Sequence, residues 1–102
     1  MTKEENFILK NIKAKVNQKD PLAEVILFGS RARNQATKNS DWDILILLHQ
    51  SSFEKEIRDE LFDIELESGM PISTLIFPKI IWENKHSGTP FYFNVKNDGI
   101  LL

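Results

Sequence analysis

The chain contains no cysteine, so neither a disulfide nor a thiolate-bound metal can contribute to its fold or its chemistry. It also lacks a long apolar run. The longest, Ile44 to Leu48, falls far short of the ~18 residues of a membrane span. Nor is there an excess of positive charge: 13 Lys and Arg against 15 Asp and Glu leave a formal charge of -2, which argues against holding nucleic acid mainly through a basic face. The opening Thr2-Lys3-Glu4-Glu5 has neither the charge nor the apolar order of a signal peptide, and a cytoplasmic protein with no membrane partner is expected. Internal repeats, low-complexity tracts and Gly/Ser linkers are absent too. With 102 residues, 41% apolar and 27% charged, the expectation is one domain over 1–102 with a shallow site in a cleft or on an edge.

What is present is a run of elements separated by turn residues. Thr2 and Glu5 fit a capping box for a helix over roughly 3–18, with Ile8, Ile12 and Val16 at helical spacing and Asp20-Pro21 as its stop. Ala23 to Phe28 predicts a buried strand closed by Gly29. Ser30 to Ala36 predicts one or two helical turns capped by Ser30, and Ser40 to Leu48 a second strand. A long helix follows, with Ser51 and Glu54 as its capping box, a stripe of Phe53, Ile57, Leu61 and Ile64, and Gly69 at its end. Ile72 to Phe77 predicts a third strand. Then come a short helix over 79–85, a last helix over 91–97 with Thr89-Pro90 at its start, and an edge strand over 100–102.

The chemistry concentrates between Phe28 and Asp43. Gly29 lets a backbone turn approach a ligand closely, and free N–H groups after it, with the Ser30 hydroxyl, form an anion site. Asp41 and Asp43, two apart on a strand, face the same way and are hard oxygen ligands for one or two Mg²⁺ ions. A ligand touching both features requires the first two strands to be antiparallel, with the site at one end of the sheet. The long helix then returns the chain so that the third strand runs parallel to the second.

Gly29-Ser30, the ten residues Arg31 to Ser40, and Asp41-Trp42-Asp43 resemble the signature of the DNA polymerase beta-like nucleotidyltransferase superfamily. Gly29-Ser30-Arg31-Ala32-Arg33 with Ser40-Asp41-Trp42-Asp43 is similar, more narrowly, to the minimal nucleotidyltransferases, single domains commonly paired with a small helical HEPN-type protein. The resemblance implies an α/β (α+β) nucleotidyltransferase fold with helices on a small mixed sheet. It further implies binding of Mg²⁺ (or Mn²⁺) with a nucleoside triphosphate, ATP being expected. The implied activity is transfer of AMP to a partner protein, as the antitoxin of a toxin-antitoxin pair. Asp41 and Asp43 are then catalytic metal ligands, and Gly29, Ser30, Arg31 and Arg33 the nucleotide-binding residues.

Each feature has a plainer reading. A lone Gly-Ser or Asp-x-Asp is usually a turn, and Arg31 or Arg33 could equally pair with nearby carboxylates. Trp42 is expected between sheet and helix, and His49 and His86 as ordinary polar residues at element ends. Asn34 replaces a glycine of the family pattern, a mild change because Asn tolerates left-handed backbone. The larger departure is on the third strand, where active relatives carry another carboxylate. Ile72 to Phe77 offers none, and Ser73 occupies the place. A hydroxyl cannot replace an anion at a catalytic metal. Glu65 or Glu67, from the end of the long helix, could lean in as a substitute, but solvated charge is the expected role of both. A catalytically silent, partner-covering antitoxin module therefore stands beside the enzyme, with an unrelated small α/β domain as a third reading. A homodimer is left open.

Overall fold

A computed structural model describes all residues from Met1 to Leu102. Helix α1 (Lys3–Lys19) opens with the expected capping box: Thr2 N–H donates to Glu5 Oε1 and Glu5 N–H donates to the Thr2 hydroxyl. Strand β1 (Glu24–Phe28) follows, then β2 (Trp42–Leu48), α2 (Glu54–Ser68), β3 (Ile72–Pro78), α3 (Lys79–Lys85), α4 (Pro90–Asp98) and the two-residue β4 (Ile100–Leu101). The four strands form one mixed sheet in the order β3-β2-β1-β4. Strand β1 runs antiparallel to β2 and β4, while β2 and β3 are parallel. This α/β arrangement is the one the sequence predicts, with α2 as the crossover that the parallel step requires.

Alternation along the strands divides the core into two layers. Trp42, Ile44, Ile46 and Leu48 face α1 and α2, meeting Leu9, Ile12 and Val16 of the first helix and Ile57, Leu61 and Ile64 of the second. Leu45 and Leu47 face the other way, onto Trp82 of α3 and Val95 of α4. Strand β2 is buried on both faces, which is why Ile44 to Leu48 is unbroken apolar sequence rather than an alternating one.

Three local expectations are corrected. Ser30 to Ala36 forms no helix: Ala32 and Arg33 N–H donate to the Gly29 carbonyl and Gln35 N–H to that of Ser30, so the chain makes one turn and the Ser30 side chain caps nothing. The Ser51–Glu54 capping box is also absent. Ser51–Phe53 is a single 3-10 turn, and α2 starts from Phe53 without a side-chain cap. The preceding segment is held instead by Asp20, whose Oδ2 accepts from His49 N–H at 2.7 Å and Gln50 N–H at 2.8 Å while its Oδ1 accepts from Leu22 N–H. Asp20 is the one buried charged residue, so the residue read as a helix stop also binds the end of β2 to the start of β1. Finally, β2 begins at Trp42, leaving Ser40 and Asp41 in the loop at its mouth.

Candidate active site

The site is built where β1 ends and β2 begins. Phe28 and Asp43 are cross-strand partners, and Gly29 follows at φ +76°, a left-handed backbone that favours glycine. A Cβ there would collide with Asp43 Oδ2, so the turn lies directly against that carboxylate. Asn34 has φ +56° and fits as a residue tolerant of that conformation. The N–H groups of Gly29, Ser30 and Arg31 donate to no protein acceptor. Successive free amides after a positive-φ residue make a concave anion cradle. The helix expected there is thus reduced to one turn, and its leading amides stay free.

Asp41 is exposed at the mouth of β2, and Asp43 is half-buried on the first turn of the strand, facing α4 rather than α2. Burial and then the negative charge of Asp41 push the Asp43 carboxyl above the usual aspartate range, with Arg33 pulling the other way. Two neighbouring carboxylates beside free backbone amides have the chemistry to hold a divalent cation together with a phosphate. No third His, Cys, Asp or Glu completes a group of three. Ser73 stands opposite Asp43 in the β2/β3 register and shares its sheet face.

The candidate substitutes do not reach it. Glu65 Oε2 accepts from Ile72 N–H at 2.7 Å, and its groove is shared with Ile72 and Thr74, whose side chains point to the α2 face. Glu67 lies in the groove between α1 and α2 with Phe7 and Ile64. Glu67 is exposed, the solvated role expected of it, and Glu65 lies on the far side of the sheet from Ser73, because residues 72 and 74 and residue 73 point to opposite faces.

The two arginines separate. Arg31 Nη2 donates to the Ser40 carbonyl at 2.8 Å and the guanidinium lies 4.4 Å from the centre of the Trp42 ring. It ties the Gly29 turn to the segment carrying Asp41, so its side chain braces the site where the sequence reading has it on phosphate; only its backbone N–H joins the cradle. Arg31 Nε is buried without a partner. Arg33 is exposed and donates from Nε to Gln35 Oε1 at 3.2 Å. Trp42, packed in the core as expected, fixes the residue between the two aspartates.

Helix α4 forms as the sequence predicts, but its approach to the site is not signalled there. A cavity of about 200 Å³ beside Gly29 and Arg33 is closed on its other side by Phe91, Asn94 and Asp98. Phe91 meets Phe28 edge to face, 5.3 Å between ring centres, and this contact lays α4 across the end of β1. Nothing in the local spacing of residues 90–98 signals that placement, which follows from the tertiary packing of Val95 and Phe91 on the sheet.

Comparison with known proteins gives the family. Residues 9–102 match the family model described as "Nucleotidyltransferase domain". Over 95 residues, 91% of this chain and 93% of the other, the sequence is 36% identical to a protein of Methanocaldococcus jannaschii named "Putative protein adenylyltransferase". No solved structure matches the chain significantly. Matched almost end to end by this family model and this relative, the chain belongs to the nucleotidyltransferase domain family.

Proposed function

We propose that the chain binds a nucleoside triphosphate with Mg²⁺ or Mn²⁺ and transfers AMP to a hydroxyl of a partner protein, as the antitoxin of a pair whose other member is a small helical HEPN-type protein. The observation that carries the binding is the contact of Gly29 with Asp43, which joins the cradle and the paired carboxylates into one site. The relative's name, a protein adenylyltransferase, supports AMP as the group and protein as the acceptor.

Asp41 and Asp43 would hold the metal. When bound, it would neutralise phosphate charge and polarise the α-phosphoryl group. The free amides of Gly29, Ser30 and Arg31 receive β- and γ-phosphate oxygens, and Arg33 adds a mobile cation at the rim. Arg31 and Trp42 keep both halves of the site in register, so the preorganisation is supplied by packing rather than by the ligand. In the transfer the acceptor hydroxyl loses its proton to solvent and its oxygen bonds to the α-phosphorus, as the bond to the bridging oxygen breaks and pyrophosphate leaves.

Ser73 opposite Asp43 favours a second reading, a silent module that binds nucleotide and neutralises its partner by covering it. Incubating the protein with α-labelled ATP, Mg²⁺ and the product of the neighbouring reading frame separates the two. Labelled partner supports transfer; nucleotide binding without label supports the silent module. Absence of both contradicts the site itself.

A further inference from the structure

The sheet ends on one side at β3, which no strand covers. Trp42 stands opposite Ile72 and its N–H donates to the Pro71 carbonyl. The alternation of a parallel ladder then turns the amides and carbonyls of Ser73, Leu75 and Phe77 toward β2, and those of Ile72, Thr74 and Ile76 outward. Glu65 occupies the Ile72 amide. No charged residue interrupts Ile72–Pro78, whereas edge strands of monomeric proteins are commonly protected by charge, bulges or short length. The groove between this edge and α2 is lined by Leu61 and Phe62 with Arg58 and Glu65 two helical turns apart, and Phe62 and Leu66 beside it are 57% and 67% exposed.

We propose that a second copy of this chain covers the edge, β3 pairing antiparallel with its mate about a two-fold axis at Thr74 to give a continuous eight-stranded sheet. In that register Thr74 exchanges both main-chain hydrogen bonds with the partner's Thr74, and the Ile76 amide donates to the partner's Ile72 carbonyl. The α2 helices then lie antiparallel across the axis, covering Phe62 and Leu66 from both sides. The charges decide for a like partner: Glu65 lies at the Ile72 end of the groove and Arg58 toward the other, so the two-fold brings each Arg58 to the partner's Glu65. An isologous interface must be self-complementary in this way. It is independent of nucleotide chemistry, because Asp43 and Ser73 face the opposite side of the sheet.

The test is the mass in solution, by sedimentation, of the full chain and three variants. Wild type is expected as a dimer. Thr74→Pro removes an outward amide and leaves the ladder to β2 intact, so it should be monomeric. Arg58→Glu and Glu65→Lys should each raise the dissociation constant at least about tenfold, and an equimolar mixture of the two should recover the dimer, since both interface pairs are again of opposite sign. The mixture keeps the test decisive should Thr74→Pro fail to fold. A monomeric wild type, including one that instead takes up a foreign extended peptide on β3, overturns the proposal. So does a dimer that all three variants leave intact.

Discussion

Asp43 and Ser73 face each other across the parallel ladder of β2 and β3, on the sheet face that also carries Phe28 and, one residue on, the Gly29 turn. One of the pair is a carboxylate with raised proton affinity and the other a hydroxyl. The proposed nucleotide site therefore has carboxylates on β2 and a neutral hydroxyl opposite them on β3.

Restoring that anion gives the first prediction. Ser73→Asp places a carboxylate beside Asp43 and within the same face as Asp41, and transfer should accelerate on the order of a hundredfold if a metal is thereby completed. In chelator the variant should melt below wild type because like charges crowd one cleft, and Mg²⁺ should reverse the order. Single-turnover transfer rates and melting curves with and without Mg²⁺ check both halves. A brisk wild type slowed by the substitution would show that another residue already completes the site.

Gly29→Ala tests the contact that unites the site. The substitution puts a Cβ into Asp43 Oδ2 at a residue with φ +76°, and should cost about 1–3 kcal/mol of stability from the backbone alone. Nucleotide binding should fall with it. Combining it with Asp43→Ala relieves the collision, so the stability losses should be less than additive in urea titrations. Strict additivity would mean that the two residues do not touch in solution.

A pH dependence follows from the raised Asp43 carboxyl. Its proton affinity in the folded state exceeds that of the unfolded chain, so its contribution to stability is fully present below the ordinary aspartate range and is lost as pH rises through the raised folded value. Metal-free protein should therefore lose stability on that rise, and Asp43→Asn should remove this loss and melt higher at neutral pH. Burial is the first cause and Asp41 the second, so Asp41→Asn should reproduce part of the effect. Melting temperature against pH in chelator is the measurement; an unchanged slope in Asp43→Asn would contradict the assignment.

Much of this was legible in the sequence because it is carried by local signals. Thr2 and Glu5 mark a capping box that forms, Gly69 ends α2 in the left-handed conformation, and the length of α2 dictates the parallel step that puts Ser73 opposite Asp43. The failures are tertiary. Ser51 and Glu54 match a capping box, but Asp20, about thirty residues away in sequence, fixes the backbone just before it. Arg31 has the chemistry of a phosphate ligand, yet the Trp42 ring and the Ser40 carbonyl, brought close only by folding, hold it first. The approach of α4 to Gly29 depends on Phe91 meeting Phe28, which no periodicity within α4 encodes.

The central claim is that one nucleotide is held jointly by the Gly29–Arg31 cradle and the Asp41–Asp43 pair. Calorimetric titration of Mg–ATP into wild type, Asp41→Asn and Asp43→Asn tests it most directly. The account predicts saturable binding in wild type that disappears in chelator and weakens at least about tenfold in each variant, each removing one charged ligand. Equal affinity in all three proteins, or binding indifferent to Mg²⁺, would place the nucleotide elsewhere and contradict it.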